Sequence, residues 1–273
     1  MRQELPRGDV PLAEVKRDAQ TQQRVPFHDV TTQVVGVRVV IVLVTAQDVA
    51  DLLDIQVTDQ EIACSGSKVE APVDRIVAMV SVRPVPTSWL AALPAGGRLA
   101  TTITNTSLIL TATKTEDGGA IGRIERDWAM FMPTRAGVDY PPRERTLLER
   151  ARTEDGEDVD PGRFPVLDVI ESREGRSMLE LAAPDIEHHH ETDGDTRIAL
   201  MLHTDGSWAR AEQAGQAFPV VHQGGPRRLW DLLDEVRDHW LRHGQLPLYG
   251  ALARVTPDGT IHLRRGTWNA VIG

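Results

Sequence analysis

A chain of 273 residues and 30.1 kDa, 41% apolar and 26% charged, has ordinary globular composition and length for one to two domains. Its formal net charge of −10, with no Lys/Arg-rich run, sets it against phosphate backbones, so no nucleic-acid partner is expected. The longest apolar run, residues 34–44, is 11 residues long with Arg38 inside it, against the ~20 that a bilayer-spanning helix needs. The opening Met1-Arg2-Gln3-Glu4-Leu5-Pro6 lacks the apolar segment of a secretory signal. Cys64 is the only cysteine, which excludes an intrachain disulfide and a thiolate metal cluster. A cytoplasmic protein without a membrane partner is expected.

In chain order, residues 1–70 stand apart. They hold eight of the twelve glutamines but only three glycines. They offer one strand-like run at 34–44, one short helical candidate at 46–54, and no sustained apolar period over the first 33 residues. From Ala71 the pattern sharpens. Residues 74–80 read as a short buried strand between Pro72 and Pro84, and 86–93 as a short helix with Pro in its first turn. Pro94-Ala95-Gly96-Gly97 is a turn, and residues 98–104 form a second strand. Strand, helix, strand implies a parallel pair joined by a crossover. Residues 107–114 and 120–126 then flank Thr115-Glu116-Asp117-Gly118-Gly119 as a β-hairpin, which would cap one edge of that sheet.

Residues 136–165 are rich in Arg, Glu, Asp and Pro and read as a linker with one short helical stretch near Leu147-Leu148. In 166–273 two further hairpins are expected, at 197–203/207–212 and 249–255/260–264, each around a Pro/Asp-Gly or Thr-Asp-Gly turn. Residues 226–243 are the strongest helix. Leu229, Leu233, Val236 and Trp240 make one apolar stripe, with Pro226 at its start and Gly244 just past its end. The expected fold is therefore α/β, a partial Rossmann-like sheet with an antiparallel hairpin, followed by a small α+β domain. Its divisions are 1–70, 71–135, the linker 136–165, and 166–273.

Few residues announce chemistry. Glu187-His188-His189-His190-Glu191 is conspicuous, but consecutive histidines alternate faces on a strand, and a solvated polar turn is the expectation rather than a metal site. His239 and His243 share a helix face, yet without the Glu of a zinc protease they read as a helix C-terminus that favours cations. Cys64 has no helix start or basic neighbour to activate it. There is no G-x-S-x-G elbow and no phosphate loop, and the Gly-Gly pairs at 96–97, 118–119 and 224–225 fit turns.

Ala71-Pro72-Val73-Asp74-Arg75-Ile76-Val77-Ala78, Val85-Pro86-Thr87-Ser88-Trp89-Leu90 and Pro94-Ala95-Gly96-Gly97-Arg98-Leu99, in that order, resemble the second half of the protein-L-isoaspartate O-methyltransferases. The hairpin and Phe131-Met132-Pro133 are similar to that family's closing strands. His222-Gln223-Gly224-Gly225-Pro226-Arg227-Arg228-Leu229-Trp230 and Asp238-His239-Trp240-Leu241-Arg242-His243-Gly244 resemble the C-terminal extension of a bacterial subgroup that accompanies ATP-grasp ligases in ribosomal-peptide maturation. The resemblance implies methyl transfer from S-adenosylmethionine to an Asp or isoAsp carboxylate on a peptide or protein, with the donor at the C-terminal ends of the parallel strands. Such chemistry needs positioning more than acid–base help, because the carboxylate and the sulfonium are both already reactive.

The family's donor turn, of the form E-x-G-x-G, would precede Ala71, where only Gly8, Gly36 and Gly66 occur. Three readings stay open: a methyltransferase with a different donor site, an inactive relative that binds a peptide, and a truncated or misread gene product. At the ends of the two recognisable strands the resemblance places a substrate-binding set of Ser81, Val82, Arg83, Thr101 and Thr102, in which Ser81 would hydrogen-bond the reacting carboxylate and Arg83 would pair with it. Catalytic and cofactor-binding residues stay unassigned, and no metal is expected.

Overall fold

The computed structural model describes residues 39–42, 72–133 and 145–273. The first 33 residues, where no regular element is expected, the helix expected at 46–54, and Cys64 lie outside them.

Strand β1 (Val39–Val42) falls inside the apolar run and pairs in parallel with β2 (Arg75–Val82), Val40 opposite Ile76 and Val42 opposite Ala78. Inward positions of β2 are apolar (Ile76, Ala78, Val80), while Val77 and Met79 face outward and are about 40% exposed. The chain leaves β2 through a cis Arg83–Pro84 bond and enters helix α1 (Thr87–Ala92), which is fixed to the sheet by fully buried Trp89 and by Leu90. A turn at Gly96, with φ of +82°, then leads into β3 (Arg98–Ile103), parallel to β2 with Ile76 opposite Leu99 and Val82 opposite Ile103. The strand–helix–strand crossover is thus present as expected. So is the following hairpin, β4 (Leu108–Lys114) and β5 (Ala120–Trp128), whose turn is closed by the Asp117 carboxylate accepting from Gly119 N and Thr115 Oγ1.

The hairpin does not end the sheet. The outer edge of β5 is taken by β11 (Leu252–Val255), followed by β12 (Ile261–Arg265) and β13 (Trp268–Ile272), giving an eight-stranded order β1-β2-β3-β4-β5-β11-β12-β13. Strands expected to lie in a separate C-terminal domain therefore complete the first sheet. An alternating pattern marks a strand but does not name its neighbour, and an unpaired β5 edge is a vacancy that a hairpin from 130 residues later can fill.

Between these strands lies a second, wholly antiparallel sheet, β6-β10-β9-β8-β7. The segment read as a linker contains two elements, helix α2 (Arg145–Thr153) and β6 (Asp158–Pro161). After a 3-10 turn (Val169–Glu171), helix α3 (Arg173–Ala182) is capped by Ser172 Oγ accepting from Gly175 N. Then follow β7 (Glu187–Asp193), β8 (Thr196–Leu202), β9 (Trp208–Ala214) and β10 (Val220–Gly224). The polar turn expected at 187–191 is instead part of an edge strand, each residue of which pairs with β8. Helix α4 (Leu229–His243) ends at Gly244 with φ of +69°, and its stripe is buried at Leu229, Leu233 and Val236 but open at Trp240.

One core unites both sheets, running from Ile76, Trp89, Leu110 and Ile124 to Leu179, Met201, Trp230 and Leu263. Among the described residues no helix is long and apolar enough to cross a membrane.

Candidate functional site

In an open sheet the carboxyl ends of parallel strands are where loops diverge and leave a crevice. Here Arg83 follows β2, Thr104 and Asn105 follow β3, and these residues form one wall of a cleft of about 900 Å³. The facing wall comes from α3 (Arg176, Glu180), from the loop after it (Asp185, Ile186) and from β7 (Glu187, His188, His189).

The floor is a tight polar network. Arg83 donates to Glu180 Oε1 at 2.7 Å and to Asp185 Oδ2 at 2.5 Å. Asn105 Nδ2 donates to Glu180 Oε1 at 3.3 Å and to Asp185 Oδ1 at 3.1 Å, and Asp185 N reaches Glu180 Oε1 at 3.0 Å. Asn105 and Asp185 are also the two non-glycine residues with positive φ among those described, at +59° and +66°. That conformation is least costly for Asn and Asp, and here it lets the two side chains meet across the cleft. Glu180 is 4% exposed, and burial raises its carboxyl above the ordinary carboxylate range despite its three donors.

His188 sits above this floor. Neither of its buried ring nitrogens has a hydrogen-bond partner among the described residues. Burial first, then the Arg176 charge and His189, push it down to about 4, with Asp168 opposing, so it is neutral at pH 7. Arg176, one helical turn from Glu180, carries no ion pair or side-chain hydrogen bond among the described residues. His189 Nε2 lies 3.6 Å from Glu187 Oε2.

Of the five residues singled out in the sequence, only Arg83 lines the cleft, and its charge is already matched by two carboxylates. Val82 is core. Thr101 and Thr102 are buried and turn their hydroxyls onto Val80 O, at 3.0 and 3.5 Å, tying β3 to β2. Ser81 is buried, with its backbone N bonded to Met132 O and its Oγ without a partner among the described residues. Asn105, Arg176, Glu180 and Asp185 went unmarked in the sequence, since nothing local distinguishes them. The histidine run was visible, but its strand placement was not.

Elsewhere, His239 and His243 stack at 4.2 Å between ring centroids, and His243 Nδ1 meets His239 O, as befits a helix end. Among the described residues no group of three His, Cys, Asp or Glu can hold a metal ion. A second groove, about 600 Å³, is lined by Trp128, Trp240 and Tyr249, with Arg173 stacked 4.1 Å over Trp128.

No protein-family model matches the chain, and no curated protein matches it. Two solved chains match. One of them, named protein-L-isoaspartate O-methyltransferase, is 15% identical over 75% of this chain and 55% of its own length, with a TM-score of 0.28. This chain thus spans about half the length of that structure.

Proposed function

We propose that the chain is a methyltransferase-like protein that receives a peptide Asp or isoAsp carboxylate in the cleft at the ends of β2 and β3, for methylation by S-adenosylmethionine. The observation that carries this reading is the parallel β2–α1–β3 crossover, whose carboxyl ends open into a cleft of about 900 Å³. That volume suits a few residues of extended peptide. The blocks at 71–99 and 222–244 that resemble protein-L-isoaspartate O-methyltransferases support the same reading. A place beside an ATP-grasp ligase in peptide maturation is part of the proposal and rests on the second block alone.

The described residues do not fit the donor. Adenosyl groups are held by a Gly-rich turn opening a helix and by an acidic residue at a strand end. Helix α1 has six residues and opens on Pro86 with no side-chain cap, and the strand ends carry Arg83 and Asn105. The acids nearby, Glu180 and Asp185, are engaged by Arg83. The same observation favours a second reading, binding of the peptide without transfer. In either case this chain's own residues exclude water at the buried strand ends and hold the peptide against a preformed polar floor.

Incubating the full chain with methyl-labelled S-adenosylmethionine and matched peptides carrying isoAsp, Asp or Asn separates the two. Base-labile label on the acidic peptides and none on the Asn peptide supports methyl transfer. Acidic peptide bound without label leaves the binding reading.

A further inference from the structure

We infer that Arg176 and His188 form a receptor for a carboxylate of the bound peptide, on the cleft wall facing the parallel strands. This rests on the reading of the chain as a protein that engages an acidic peptide, and it assigns the residues that would do so. The charges of the cleft pair off unequally. Arg83 is bound to Glu180 and Asp185, and Glu187 lies beside His189. Among the described residues lining the cleft, Arg176 is the cation left without an ion pair. A half-buried arginine whose donor fork has no partner among the described residues suits a carboxylate, which it grips with two parallel hydrogen bonds.

His188 points to the same ligand independently. Its ring nitrogens are buried and have no partner among the described residues, and a buried donor is costly until something accepts from it. Held neutral, the ring has one N–H to donate and adds no second charge. A cationic ligand would be repelled by Arg176, and a neutral one would leave Arg176 unmatched. A dianion such as phosphate would meet Glu180, Asp185 and Glu187 close by, so a monoanionic carboxylate fits the balance best.

The test is titration calorimetry on the full chain with three probes: a blocked hexapeptide with a central Asp, its Asn counterpart, and inorganic phosphate. The wild type is expected to bind the Asp peptide about tenfold more tightly than the Asn peptide, the ordinary worth of a charge-assisted pair. Arg176→Met is expected to bring that ratio below about twofold, and His188→Asn to lower it by about threefold. Arg176→Lys keeps the charge without the fork and is expected to hold an intermediate preference of about threefold, which guards against misreading a folding defect. Equal affinity for the two peptides, no binding of either, a preference that survives Arg176→Met, or displacement by an equal concentration of phosphate would each overturn the receptor. Methyl transfer failing while the Asp preference persists overturns the transfer alone. Transfer and preference both persisting in Arg176→Met overturn the receptor alone.

Discussion

Glu180 and His188 are neighbours in one cleft whose ionisation responds to pH with opposite sign. His188 in the folded chain titrates near 4, below its ordinary 6.5, so the unfolded chain takes the proton first. The stability from its neutral, buried ring is complete above about 6.5 and is lost as pH falls toward 4. Between pH 7 and 4, wild type should lose ~2–3 kcal/mol more than His188→Gln in denaturant unfolding. Glu180 is raised in the folded state, so the folded chain takes the proton first. Its contribution is present at acid pH and lost as pH rises through the folded value, and the difference between wild type and Glu180→Gln should move in favour of wild type on acidification. Arg83→Met strands this buried carboxylate. A loss of about 2–3 kcal/mol is expected at pH 7, shrinking at acid pH as Glu180 takes a proton. Arg83 could be picked from the sequence because it follows a readable strand. Glu180 could not, because it is 97 residues from Arg83 and no spacing rule spans that distance.

Among the elements, turns decide where strands can meet. Gly259, in the turn between β11 and β12, has φ of +90°, and a Cβ there would lie 2.0 Å from Val85 O. Its own carbonyl accepts from Val85 N at 3.0 Å, so this turn rests on the segment that joins β2 to α1. Gly206 has nearly the same φ, +89°, with nothing within 4 Å of the missing Cβ. Gly259→Ala should therefore cost ~3 kcal/mol or more, and Gly206→Ala about 1, read as the difference in thermal midpoint. Hairpins and α4 were legible because Asp-Gly turns and a 3.6-residue stripe are local signals. Helix α3 was not, since Gly175 and the charged residues of its first turn obscure the period, although Ser172 is its cap. Strand β7, Glu-His-His-His-Glu-Thr-Asp, is a half-exposed edge with no apolar alternation to read.

At the largest scale, continuity of the sheet and core through the described residues of 72–133 and 145–273 predicts that this part unfolds in a single cooperative transition. The fragment 166–273 would carry β11 without β5 and β10 without β6, and would expose the apolar face that Leu110 and Ile124 now cover. It should give collapsed rather than dispersed amide spectra, and dispersed spectra would show that the second half is independent. The parallel crossover was legible in the sequence because each part has its own period. The joining of both halves in one sheet was not, because it is a property of edges that meet only after folding. The cleft too draws on both halves, with the ends of β2 and β3 on one wall and α3 and β7 on the other. Hydrogen-exchange mass spectrometry of the full chain with and without an Asp-containing peptide therefore tests the site most directly. Protection concentrated at 103–107 and 176–189 is the predicted result. Protection confined to the aromatic groove around Trp128 and Trp240, or absent altogether, would contradict it.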